Sequence, residues 1–161
     1  MFTFKKSINI RANYHYMAET ARTFIDEEND LTALLSNLSA LIHVYMDDIS
    51  WVGFYLSKGK ELVLGPFQGK PACTHIGEGK GACGTAVLER RPINVPDVHR
   101  FPGHIACDSE SVSELVIPFF RKGNVYGVLD LDSPKAGRFT DLELEYLQKI
   151  ANLLTDFLES K

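Results

Sequence analysis

The spacing of apolar positions changes along the chain, and each change marks an element. Tyr14, Met17, Ala18, Ala21, Phe24 and Ile25 recur at helical spacing and predict an amphipathic helix. A second helix is predicted after Asp30, a good capping residue, with Leu31, Leu34, Leu35, Leu38, Leu41, Ile42 and Tyr45 on one stripe. From residue 50 the period falls to that of strands. Residues 50–56 and 61–64 read as a hairpin across Ser57-Lys58-Gly59-Lys60, and residues 113–120 and 124–132 as another across Arg121-Lys122-Gly123. The last helix opens at Thr140, which with Glu143 fits a capping box, while Phe139 and Leu144 can form a hydrophobic staple. Its inner face is Leu147, Ile150, Ala151, Leu154 and Leu158.

Between the hairpins, residues 65–112 read as loop-rich, with one short helix over 84–90 and one short strand over 92–95. Hairpin connections make the sheet antiparallel, so the order predicts an α+β fold with the helices covering one sheet face. A loop stretch this long inside a compact domain is usually functional.

Composition narrows the class. The chain has 161 residues, 45% hydrophobic and 24% charged, which fits one globular domain over 1–161 and excludes a disordered chain. No stretch reaches the roughly 18–20 apolar residues of a membrane span. The N-terminus lacks the apolar run and cleavage site of a secretory signal, so a cytoplasmic protein without membrane contact is expected. Net charge is -4 and the basic residues are scattered, which argues against nucleic acid as a partner.

The candidate chemistry lies in the hairpins and the loops between them. Asp130 and Asp132 alternate with Leu129 and Leu131, so both acids point to one strand face. They would repel unless a cation or proton neutralises them, and Glu114 on the partner strand adds a third carboxyl group. An ammonium group or a metal ion would suit such a site. Alternatively, the strand has ended and both aspartates cap a turn before Ser133-Pro134. Trp51 and Tyr55 share a face with Gly53 between them, which predicts two aromatic walls about 13 Å apart above an open floor.

The segment Gly77-Glu78-Gly79-Lys80-Gly81-Ala82-Cys83-Gly84 contains a formal GxGxxG pattern but lacks the βαβ setting that gives that motif meaning. Its glycines precede a helix and could offer N–H groups to a carboxylate. Cys83 near that helix N-terminus would favour the thiolate. The 3 cysteines form no CxxC pair, and His15, His43, His75, His99 and His104 show no metal-ligand spacing. Cys107 has His104 nearby, while Asp108 and Glu110 would oppose thiolate formation.

Taken together, Gly69-Lys70-Pro71-Ala72-Cys73, Gly81-Ala82-Cys83-Gly84-Thr85-Ala86, Gly103-His104-Ile105-Ala106-Cys107-Asp108-Ser109, Ser113-Glu114 and Gly127-Val128-Leu129-Asp130-Leu131-Asp132-Ser133 resemble the free methionine-(R)-sulfoxide reductases. These are single-domain enzymes of the GAF fold, an antiparallel sheet flanked by N- and C-terminal helices. The resemblance covers nearly the whole chain. It implies reduction of free L-methionine (R)-sulfoxide through a cysteine sulfenic acid and an intramolecular disulfide, with thioredoxin as external reductant and no bound cofactor.

By the resemblance Cys107 is the nucleophile, with Cys83 and Cys73 as the resolving or recycling pair. Helix-terminus physics favours Cys83 instead, so the order between Cys83 and Cys107 stays open. Glu114, Asp130 and Asp132 would hold the substrate ammonium, and one of them kept neutral would protonate the sulfoxide oxygen. The glycine loop would meet the carboxylate, and Trp51 and Tyr55 would wall the S-methyl end. The family is commonly a homodimer. The competing reading is a stand-alone GAF module that senses a small ligand or redox state. Such modules usually serve an output domain, and none is expected in the eighteen residues after Glu143.

Overall fold

The computed structural model describes residues 3–161, in which two long helices and one short one pack on a six-stranded sheet and a third long helix packs on the other two long ones. Helix α1 (Ile10–Glu27) begins where the Asn9 side chain accepts from the Ala12 N–H, and α2 (Leu31–Tyr45) where Asp30 accepts from Ala33. Each cap satisfies an amide that the first helical turn leaves unpaired. The C-terminal helix spans Asp141–Glu159 and carries the expected capping box of Thr140 and Glu143. The predicted apolar stripes are buried, with Met17 and Ala21 inside on α1 and Leu34, Leu35 and Leu38 on α2.

The strands are β1 (Trp51–Lys58), β2 (Glu61–Gly69), β3 (His75–Gly77), β4 (Ile93–Val95), β5 (Ser113–Arg121) and β6 (Asn124–Ser133). They pair antiparallel in the order β3-β2-β1-β6-β5-β4. The loop-rich reading of residues 65–112 needs two corrections. β2 continues through Gly65 and Pro66 to Gly69, and β3 adds an edge strand against residues 61–63. Pro66 hid the extension. Gly53 faces Phe67 and Tyr55 faces Leu64, so Gly65 and Pro66 together oppose Phe54 in a bulge, where a proline's missing N–H is tolerated.

Alternation sorts the sheet into two chemistries. Val52, Phe54, Leu115, Ile117, Leu129 and Leu131 face α1, α2 and the C-terminal helix and form the main core. Trp51, Tyr55, Val116 and Val128 face the other way into a second cluster with Ala82, Cys83 and Ala86. The helices therefore do not all cover one face, as the sequence suggested. Helix α3 (Gly81–Glu89), which starts three residues before the expected position, packs on β5 and β6 from the opposite side. Ser113 Oγ donates to the Lys135 carbonyl and Ser133 Oγ to the Asp48 carbonyl, each at 2.6 Å. These bonds fix the ends of β5 and β6 next to Glu114 and Asp132.

Candidate active site

The acids lie where strand register puts them. Trp51 pairs across the sheet with Asp132, which pairs with Glu114; in the next row Gly53 pairs with Asp130, which pairs with Val116. β6 runs to Ser133, so the aspartates lie within the strand and do not cap a turn. Glu114 and Asp130 are 8% and 5% exposed, and Asp132 is partly buried. Burial pushes all three carboxyl groups above their ordinary range. The Glu114 charge pushes Asp130 and Asp132 further in the same direction. Among the described residues no Lys, Arg or His forms an ion pair with any of them. Burial without a cationic partner makes this cluster hold protons more tightly than free carboxyl groups do.

Cys83 faces the same acids from α3, and its sulfur donates to Glu114 Oε1 at 3.8 Å. The expectation of a thiolate there is overturned. Burial raises the thiol well above its ordinary value, and the Asp130 and Glu114 charges raise it more. A helix terminus contributes roughly half a unit of charge, which full burial beside two acids outweighs. Single ligand atoms of Cys83, Glu114 and Asp130 all lie within 4.8 Å of one another.

The aromatic pair also departs from expectation. Trp51 and Tyr55 do not stand apart over an open floor. Their ring centroids are 5.8 Å apart and stacked, and Phe67 stacks on the other side of Trp51 at 5.3 Å. Gly53 is needed because a Cβ there would lie 2.3 Å from Phe67 Cβ and 2.7 Å from the Trp51 ring. The glycine makes space for the indole rather than for a ligand. Both polar tips reach one loop, residues 70–74. Trp51 Nε1 donates to the Lys70 carbonyl at 3.1 Å, and the Tyr55 hydroxyl donates to the Cys73 carbonyl at 2.9 Å.

That loop carries Cys73, which is disulfide-bonded to Cys107 with Cα atoms 5.5 Å apart. Cys83 is the free cysteine. Cys107 and His104 line a cavity shared with Cys83, Glu114, Asp130 and Asp132. Burial holds His104 below the ordinary histidine value. Lys70 reaches across from the Cys73 loop to form ion pairs with Glu110 and, at 4.0 Å, with Asp108. The two acids expected to oppose a Cys107 thiolate are thus offset by a cation.

The N–H groups of the glycine loop are mostly engaged already, half of them within the loop and half with neighbouring segments. The N–H groups of Glu78, Gly79, Lys80 and Gly81 donate to backbone carbonyls of Lys60, Gly84, Gly77 and Gly103. Gly84 allows this tight packing, since a Cβ would lie 2.4 Å from the Gly77 carbonyl oxygen. Of the segment read as a carboxylate cradle, this leaves the N–H groups of Ala82 and Cys83, which have no acceptor within the helix.

Phe67 and Lys70 were missed in the sequence. Phe67 was obscured by Pro66, and Lys70 stands alone in a loop with no periodicity. The Gly53–Phe67 juxtaposition becomes readable once the bulge is known.

The GAF domain family model matches residues 30–155 of this chain. The free methionine-R-sulfoxide reductase of Escherichia coli (strain K12) is 48% identical over 131 residues, 81% of this chain and 79% of that protein. The reduced form of fRMsr of Staphylococcus aureus superposes with a TM-score of 0.88 at 48% identity, covering 98% of this chain and 99% of that one. The free methionine-R-sulfoxide reductase of Neisseria meningitidis, in complex with its substrate, gives a TM-score of 0.93 at 38% identity over 99% and 96% of the two chains.

Proposed function

The chain belongs to the GAF-domain free methionine-R-sulfoxide reductases, and on that premise we propose that it reduces free L-methionine (R)-sulfoxide to methionine with thiols as electron source. The observation that carries this reading is the convergence on one cavity of a bridged cysteine and a buried acid trio.

The bridge leaves Cys83 outside, with its thiol held protonated, and the family resemblance then favours Cys107 as nucleophile and Cys73 as resolving cysteine. The Cys107 thiolate attacks the sulfoxide sulfur, and the oxygen takes a proton and passes to Cys107. Methionine leaves and Cys107 becomes a sulfenic acid. Cys73 then attacks the Cys107 sulfur, the hydroxyl departs as water, and the Cys73–Cys107 disulfide holds the two oxidising equivalents. An external dithiol of the thioredoxin type reopens it. No bound cofactor enters this sequence.

The acid trio has two tasks in this scheme. A substrate ammonium neutralises charge that protons neutralise in the free protein, so binding exchanges one kind of cation for another. A carboxyl group among Glu114, Asp130 and Asp132 that keeps its proton then serves the departing oxygen. The Ala82 and Cys83 N–H groups meet the substrate carboxylate, and the Trp51–Tyr55 stack walls the S-methyl end. Lys70 favours the Cys107 thiolate by offsetting Asp108 and Glu110.

We also read residues 1–161 as one GAF domain working as a cytoplasmic homodimer, on the resemblance of the whole chain to this family. Among the described residues, no helix is long and apolar enough to cross a membrane.

Turnover tests the reading. With racemic free methionine sulfoxide and dithiothreitol, the purified protein should consume the R form and leave the S form. Binding without consumption would identify a sensory module instead, and consumption of both forms at equal rates would contradict the proposed site.

A further inference from the structure

The buried cluster at the floor of the cavity has the composition and spacing of a metal site. Cys83, Glu114 and Asp130 come from α3, β5 and β6, three elements whose backbones are held by helix and sheet hydrogen bonds. The three side chains are 3%, 8% and 5% exposed. Asp130 Oδ1 has no hydrogen-bond partner despite being buried. The Asp130 carboxyl group adjoins Glu114 and Cys83, so this buried acceptor is completed by a proton shared within the cluster or by a cation that replaces that proton.

Ligand atoms of the three residues lie within 4.8 Å of one another, and Cys83 Sγ to Glu114 Oε1 is 3.8 Å. A tetrahedral zinc ion with bonds of about 2.3 Å to sulfur and about 2.0–2.2 Å to oxygen places such atoms about 3.5 Å apart. Coordination therefore requires the three side chains to draw inward from these separations.

We propose that Cys83, Glu114 and Asp130 form a binding site for a borderline-soft divalent cation of the zinc class, which competes with the substrate ammonium for the same carboxylates. The thiolate ligand and the small number of oxygens select against magnesium and calcium, which take six or more oxygens. On binding, the Cys83 S–H bond breaks and a sulfur–metal bond forms, with the proton passing to water and no change of oxidation state. The fourth position opens to the cavity. Cation binding stands on the geometry alone, whereas the competition with substrate rests on the reductase reading.

The disulfide form of the protein gives a clean test. Cys73 and Cys107 are bonded to each other, so Cys83 is the sole free thiol of the 3 cysteines in the chain. Titration with Co²⁺ should produce a near-ultraviolet thiolate-to-cobalt band that saturates at one ion per chain. Zn²⁺ should remove the band at concentrations where Mg²⁺ does not. Cys83→Ser should abolish the band, and Glu114→Gln should weaken cobalt binding at least about tenfold.

No band in the wild type, persistence of the band in Cys83→Ser, or displacement by Mg²⁺ at the Zn²⁺ concentration would overturn the proposal, and two of these readouts need no variant to fold. With the reduced enzyme and buffered free Zn²⁺, zinc should raise KM and leave kcat unchanged. A fall in kcat at constant KM would overturn the competition. A protein that shows the cobalt band without reducing methionine sulfoxide would refute the reductase reading and leave the cation site standing.

Discussion

The Tyr55 hydroxyl donates a 2.9 Å hydrogen bond to the Cys73 carbonyl, which ties a buried strand side chain to the loop that carries the bridged cysteine. Tyr55 is 2% exposed, and burial raises its hydroxyl well above the ordinary tyrosine value, so it remains a donor at any working pH. Tyr55→Phe keeps the stacked ring and removes the tether. A neutral hydrogen bond contributes about 1 kcal/mol, which predicts roughly a fivefold slower closure of the disulfide. In a single turnover, sulfenic acid trapped on Cys107 should accumulate relative to wild type. Disulfide closure at the wild-type rate would mean that the loop is positioned without Tyr55.

The three cysteines should separate cleanly on substitution. Cys107→Ser should release no methionine. Cys73→Ser should release one methionine per chain and then stall with a sulfenic acid on Cys107. Cys83→Ser should still form the Cys73–Cys107 bridge. Peptide mapping of substrate-treated wild type reads the pairing directly, and a bridge containing Cys83 would move the assignment.

The acid trio should make the enzyme specific for the free amino acid. An N-acetylated methionine sulfoxide brings no ammonium, so it cannot replace the protons that the raised carboxyl groups hold and forms no ion pair with them. Losing the charge-assisted hydrogen bonds of the ammonium costs roughly 1.5–3 kcal/mol, equivalent to about one to two decades in kcat/KM. Asp132→Asn should reduce turnover of the free sulfoxide and shrink that discrimination. Equal kcat/KM for the free and acetylated substrates in the wild type would remove the acids from substrate recognition.

The same acids predict an unusual dependence of stability on pH. Glu114 and Asp130 titrate from ordinary values of 4.5 and 3.8 in the unfolded chain, and in the folded protein both are raised, first by burial. A raised carboxyl group binds its proton more tightly in the folded state, so its contribution is complete below pH 4 and is lost as pH rises toward the folded value. Each such group gives a slope of at most about 1.4 kcal/mol per pH unit. The substrate-free protein should therefore lose urea stability between about pH 4 and neutrality. Asp130→Asn should flatten the decline, and methionine should offset it. A midpoint independent of pH over this interval in the wild type would show that the cluster carries no excess protons.

Much of the site was legible because strand alternation is local. Each residue's backbone dihedrals send Asp130 and Asp132 to the face opposite Leu129 and Leu131, wherever the strand lies in the fold. The sequence thus determined the helical stripes, both hairpins, the one-sided acids and, through its cysteine contexts, the resemblance to a family. The tertiary structure decided what depends on approach between distant segments. Cys73 and Cys107 are 34 residues apart, and only the folding of two loops over the sheet selects this pair and leaves out Cys83. The Cys83 helix terminus was visible in the chain, but its burial under the sheet, and then the acids of β5 and β6 beside it, reversed the expected direction of its titration. Gly53 seemed to promise open space until the β1–β2 bulge brought Phe67 opposite it and the indole filled the gap. Burial and electrostatics sum over every element that packs on a group, so local spacing cannot fix their sign.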